Sequence, residues 1–255
     1  MTDSPPRSGA QAVERAVAIL RCFVSTRESL GITELAHTTG LTISTVHRIV
    51  RVLTHEGLLV HDARGERYLL GPTLVMLGRH AQEQLGYGRA QPILDDLAAE
   101  TGESVNLGIR TGNEVQIVLH AASPQPLRFD QEPGTRVPLN VSAMGKCFLA
   151  YSGSIADQLA GLGELAGATV KSITSRKDLA EELYAVRRRG WALNDEERNP
   201  GVRAIAVPVL HHSGTAVAAV AVQGPTVRIT DEDVPRLARV AGQQVSRIAA
   251  LLVGD

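Results

Sequence analysis

Residues 42 to 55 read TISTVHRIVRVLTH, and their polar members are of one chemical kind. Wound as a helix at about 100° per residue, the stretch divides into two faces. Ile43, Ile49, Val50 and Leu53 fall within roughly 60° of Val46, an apolar stripe for a core. Arg51, Ser44, His55 and Arg48 fall about 140° to 200° away, flanked by His47 and Thr45. The guanidinium fork grips a guanine edge or a phosphate with paired hydrogen bonds, and short hydroxyls reach the same groups at close range. A face that only meets water mixes acids among its cations, yet no acid precedes Glu56 here.

Such a helix needs elements to aim it. In GITELAHTTG, Thr33 can cap a short helix and Gly40 can end it in the left-handed conformation. The tight Thr-Thr-Gly-Leu turn then leads into the second helix, the helix-turn-helix arrangement. Upstream, residues 8–24 are expected as a helix with Val13, Ala16, Val17, Leu20 and Val24 on one face, opened by capping-box spacing at Ser8 and Gln11. Downstream, LVHDARGERYLLG reads as two strands joined at Arg64-Gly65, with Arg64, Arg67 and Tyr68 near the tip. A hairpin beside a recognition helix can lie against the duplex backbone. The expected DNA-contacting set is Thr33, Thr42, Ser44, Thr45, His47, Arg48, Arg51, Arg64 and Arg67. A winged helix that binds protein is the competing reading, and the Arg/Ser/His arc argues against it. Residues 9–71 hold seven arginines against six acids, so distribution and not net charge carries the argument. Four of the eight histidines also lie here. DNA affinity is therefore expected to rise from about pH 8 to about pH 6.

The remainder alternates differently. TLVMLGRHAQEQL is a helix with Leu74, Leu77, Ala81 and Leu85 on one side, able to link two domains or to pair with a partner chain. AQPILDDLAAETG is a helix closed by Gly102. SVNLGIR and EVQIVLHAA form a hairpin about Thr-Gly-Asn. Residues 142–151 are helical, Ser175 and Asp178 cap a helix ending at Gly190, and VRAIAVPVL pairs with TAVAAVAVQG. Thr230 and Asp233 cap a last helix to about Val253. Hairpins between helices imply an antiparallel sheet with helices on its faces, an α+β fold. The division is a disordered lead over 1–8, a winged helix-turn-helix over 9–71, a linker helix over 72–86 and a second domain over 87–255.

Composition bounds the rest. The chain has 255 residues, a formal charge of −1 and 44% hydrophobic residues, so it is no polycation and can bury a core. Cys22 and Cys147 show no metal or redox spacing and read as small buried hydrophobes in a reducing compartment. No apolar run reaches membrane length, and the N-terminus lacks a signal-peptide core, so a cytoplasmic protein is expected. Aromatic content of 3% disfavours stacking on single strands. No phosphate loop, metal set or nucleophile-base pair is found. No cofactor is expected, and the rival reading of the second domain as an enzyme acting on a small acid has no catalytic group to rest on.

Three stretches resemble the IclR family of bacterial transcription regulators: GITELAHTTGLTISTVHRIVRVLTHEGLL, GTRVPLNVSAMGKCFLA and RRRGWALNDEERNPGVRAIAVPV. They lie in family order across nearly the whole chain. The resemblance implies a winged helix-turn-helix on double-stranded operator DNA and a GAF-like domain that binds a small-molecule effector. It also implies a homodimer or homotetramer.

Ser142 can cap the helix AMGKCFLAY, and the N–H groups of Ala143, Met144 and Gly145 would then suit an anion, with Gly145 admitting a ligand to the backbone. A small organic acid fits such a site. By resemblance, Ser142, Ala143, Met144, Asp195, Ala204, Ala206, Ala221 and Gln223 line the effector pocket. Some family members with a small keto-acid effector have Cys at the Ala204 position and a smaller polar residue at Gln223, so a different and larger effector is expected. Arg128 and Arg203 could pair with a carboxylate, or serve as structural arginines. Lys146 and the acids of NDEER are expected in solvent, except Asp195, which is expected to face the ligand.

Overall fold

A computed structural model describes residues 8–26, 28–62 and 65–253. The chain divides into two compact units, Met1–Gln84 and Leu85–Asp255. The expected lead, the side chain of Ser8 and Arg64 fall outside what the structure describes.

In the first unit α1 (Ser8–Cys22) runs into a 3-10 turn at Phe23–Ser25, followed by β1 (Leu30–Gly31), α2 (Ile32–Thr39), α3 (Ile43–His55), β2 (Leu59–Asp62), β3 (Arg67–Leu70) and α4 (Pro72–Gln84). The strands form an antiparallel sheet in the order β1-β3-β2. A two-residue β1 has no period to read, which is why the sequence shows only a hairpin. The core joins Ile19 and Phe23 to Leu35, Val46, Val50, Leu53 and Leu59. Two expectations are corrected here. Ile19 and Phe23 are buried, with Ala16 and Leu20 of the expected face packed against that core, while Val13, Val17 and Val24 are exposed. The helix tightens to 3-10 at Phe23, which shifts the angular position of Val24. Ile43 also lies out of the core, because it opens α3 a full turn before the buried residues.

Thr33 is not the cap of α2. Gly31 is, and Glu34 Oε2 accepts its N–H at 2.8 Å. Glycine has no side chain to return the bond, so only half of a capping box exists. Gly40 ends α2 at φ 68°, as its position after Thr39 required. The start of α4 is tied to the end of α3: Thr73 Oγ1 donates to the Glu56 carbonyl, and Thr73 N–H to that of Gly57.

The second unit comprises α5 (Tyr87–Thr101), β4 (Ser104–Thr111), β5 (Glu114–Ala121), β6 (Arg136–Pro138), α6 (Ala143–Ala150), α7 (Ile155–Ala160), α8 (Arg176–Arg189), β7 (Ala192–Asp195), β8 (Val202–Leu210), β9 (Ala216–Pro225) and α9 (Asp233–Leu252). Six antiparallel strands run in the order β6-β5-β4-β9-β8-β7, giving the α+β architecture. One face carries Val105, Leu107, Val220, Val222 and Ile205 against α5 and α9. The other carries small residues, Ala204, Ala206, Ala219 and Ala221, and on it lies α6, buried along its whole length. Small side chains let a helix approach a sheet closely. At Gly108 a Cβ would sit 2.9 Å from Met144 Sδ.

Candidate nucleic-acid interface and effector cavity

Thr42 caps α3, its Oγ1 accepting from Thr45 N–H at 3.3 Å, with the Ser44 and Thr45 hydroxyls 3.2 and 2.9 Å away. This hydroxyl cluster marks the N-terminal end of the helix, where a dipole and free N–H groups favour a phosphate. Ser44, His47, Arg48, Arg51 and His55 are all exposed on the face away from Val46, Val50 and Leu53. Among the described residues Arg48 and Arg51 have no ion-pair or hydrogen-bond partner. Arg67 differs. Its guanidinium bonds Glu34 at 2.9 Å and the Ser29 carbonyl and hydroxyl, holding β3 to the turn before α2. With the Gly31 N–H, that bond holds the Glu34 carboxyl below the usual range. Thr33 is exposed within α2.

In the second unit a small cavity is lined by Ser142, Ala143 and Met144 at the start of α6, Asn194, Arg198 and Val202 from the β7–β8 segment, and Ala204, Ala221 and Gln223 from the sheet. Phe129, Gln131, Val137 and Asn199 complete it. Six of the sequence-named residues meet here, and three do not. Gly145 is needed by the protein's own backbone: a Cβ there would lie 2.2 Å from the Leu139 carbonyl oxygen, and its N–H bonds Ser142 Oγ at 3.1 Å. Ala206 is sealed in the core beneath α6, its carbonyl accepting from the Cys147 thiol. Asp195 pairs instead with Arg203 and Lys171. Successive strand residues face opposite ways, so it is Asn194 that lines the cavity.

The expected carboxylate partners are also taken. Arg128 bonds Asp130 at 2.6 Å, and Arg203 bonds Asp195 and Asp231. The available cation is Arg198, which the sequence reading missed among the acids of NDEER. Its Nη1 is buried with no hydrogen-bond partner among the described residues, and burial lowers its pKa. Beside the cavity, the N–H groups of Ala143 and Met144 have no intrahelical acceptor, since they open α6. The wall is thus rich in donors, on an otherwise apolar lining of Phe129, Val137, Met144 and alanines.

The IclR helix-turn-helix domain matches residues 12–63, and the C-terminal domain of the bacterial transcriptional regulator IclR matches residues 87–250. The chain belongs to the IclR family of transcriptional regulators. An IclR-family chain is a DNA-binding regulator with an effector-binding C-terminal domain, not an enzyme. Among its relatives is the HTH-type transcriptional regulator BhcR of Paracoccus denitrificans, 36% identical over 88% of this chain and 80% of that one. An IclR regulator structure from Alicyclobacillus acidocaldarius superposes with a TM-score of 0.86 at 28% identity, over 94% of this chain and 98% of that one. An IclR homologue from Microbacterium hydrocarbonoxydans, solved in complex with 4-hydroxybenzoate, gives a TM-score of 0.84 at 20% identity over 96% and 100% of the two chains. At that identity the likeness concerns the fold. No helix among the described residues is long and apolar enough to cross a membrane.

Proposed function

We propose that this regulator reads operator DNA with Thr42, Ser44, Thr45, His47, Arg48 and Arg51 of the α3 region and senses a small organic acid in the cavity of its second unit. The observation that carries the acid is Arg198: a buried guanidinium nitrogen without a partner, in a wall that also offers two free helix N–H groups. A carboxylate would offset the cost of that burial. The family homologue solved with 4-hydroxybenzoate adds support, since that ligand is itself a carboxylic acid.

The chain acts as a homodimer or homotetramer on this reading. Val13 and Val17 of α1, and Val75, Met76 and Leu77 of α4, are exposed apolar side chains that a second copy would cover. The acid binds one conformation better than another and so shifts operator affinity; about 1.4 kcal/mol of preference suffices for a tenfold change. The test is gel retardation on the DNA upstream of the protein's own gene with a panel of small carboxylates. At least one acid should change retardation of the wild type and not of Arg198→Ala. An identical response in both proteins would refute the role of Arg198.

A further inference from the structure

Asn194, Ala204, Gln223 and Ser104 form one cross-strand row over β7, β8, β9 and β4. With neighbouring strands ~4.8 Å apart, Gln223 lies about 10 Å across the cavity from the segment that carries Arg198. Gln223 is buried, and its Nε2 donates to the Phe129 carbonyl at 3.3 Å. Behind it lies Asn106, also buried, whose amide has two orientations. Two backbone carbonyls, those of Gln131 and Val105, select between them, because a carbonyl can only accept. Beyond Asn106, His120 Nε2 lies 3.3 Å from Asp130 Oδ1. Asn106 turns its Nδ2 toward the Gln131 and Val105 carbonyls, both at 3.2 Å, with His120 Nδ1 at 2.9 Å, and its Oδ1 accepts from Gln223 Nε2 at 2.6 Å. Both hydrogens of the Gln223 amide are thereby engaged, on Asn106 and Phe129. What remains for the cavity is Gln223 Oε1, an acceptor with no donor among the described residues.

We infer that the effector is a hydroxy acid, its carboxylate at Arg198 and the first turn of α6 and its hydroxyl donating to Gln223 Oε1. Asn106, held by the Gln131 and Val105 carbonyls, acts as a positioning residue that sets the polarity of Gln223 without touching the ligand. The inference rests on the cavity being an acid site. An acid lacking the hydroxyl offers Oε1 no donor, and a site built for a hydroxyl discriminates strongly against such an analogue.

The experiment is calorimetric titration of the full-length protein with matched pairs: glycolate and acetate, 3-hydroxybutyrate and butyrate, 4-hydroxybenzoate and benzoate. In at least one pair the hydroxylated acid should bind about tenfold tighter or more. In Gln223→Met that ratio should fall toward one while carboxylate binding persists. Equal or tighter binding of every unhydroxylated partner, or a ratio untouched by Gln223→Met, overturns the inference and leaves the acid site standing. Absence of binding by every acid overturns the acid site and the inference with it. The wild-type ratios decide the matter even where the variant fails to fold.

Discussion

Lys146 Nζ lies 2.5 Å from Glu197 Oε1 and donates to the Leu193 carbonyl at 2.8 Å, although the lysine is only 1% exposed. The expectation of a solvated lysine beside a solvated acidic loop is therefore corrected. Glu182 stands 3.8 Å from the ammonium and accepts from Arg189 at 2.7 Å. Burial pushes the Glu197 carboxyl up, and Lys146 opposes that shift. The pair joins the middle of α6 to the segment whose next residue, Arg198, lines the cavity. Glu197 N–H also bonds Asn194 Oδ1, and Asn194 Nδ2 bonds the Val141 carbonyl. One side of the cavity is thus positioned by a buried ion pair.

Lys146→Met should cost about 3–5 kcal/mol, because it leaves Glu197 buried without its cation. The double variant Lys146→Met with Glu197→Leu should recover most of that loss. Urea unfolding followed by the fluorescence of Trp191, the sole tryptophan, reports on this unit. A single variant as stable as the wild type would contradict the pairing.

Two glycines make an opposed pair. Gly145→Ala drives a Cβ into the Leu139 backbone and should destabilise by about 1–3 kcal/mol or more. Gly242→Ala, inside α9 with nothing within 4 Å of the new atom, should stabilise by up to about 1 kcal/mol. Thermal unfolding of both variants checks the sign, and a harmless Gly145→Ala would mean that α6 does not sit so close to Leu139.

Arg48→Ala should weaken specific DNA binding by about 1–3 kcal/mol if it reads a base edge. Its exposure and lack of partners predict little change in stability. Arg51→Ala should behave alike, or reduce the salt dependence by about one ion if it meets a phosphate. Fluorescence anisotropy on operator DNA at several salt concentrations separates the two roles. Unchanged affinity in both variants would favour the protein-binding reading of the winged helix.

Hydrogen bonding from Arg203, against the opposing effect of burial and with help from Lys171, holds Asp195 below the ordinary carboxylate range. A folded pKa below the unfolded one stabilises the fold above the unfolded value, and that stability is lost as pH falls through the folded value. Asp195→Asn should therefore show a shallower loss of stability below about pH 4. Parallel acid slopes in the two proteins would rule this out.

The long periodic elements were legible because a repeated side-chain pattern specifies them locally. Val46, Val50 and Leu53 set the face of α3, and Ser175, Gly102 and Gly190 marked helix ends by local backbone chemistry. The short pieces β1, β6, α7 and β7 were not, since two to six residues hold too few repeats to show a period. The same shortness hid which side of β7 faces the cavity. One step of parity exchanges Asn194 for Asp195.

From the chain alone came the two-part α+β architecture, the exposed Arg/Ser/His arc on one helix and the family, because each depends on neighbours in sequence or on motifs in order. Only the tertiary structure decided which arginines are already paired with acids. Arg128 and Arg203 read as possible carboxylate partners in the sequence, and the fold pairs them with Asp130, Asp195 and Asp231. Whether a charge is neutralised or left bare depends on what folding brings within a few ångströms of it, and local sequence carries little of that information.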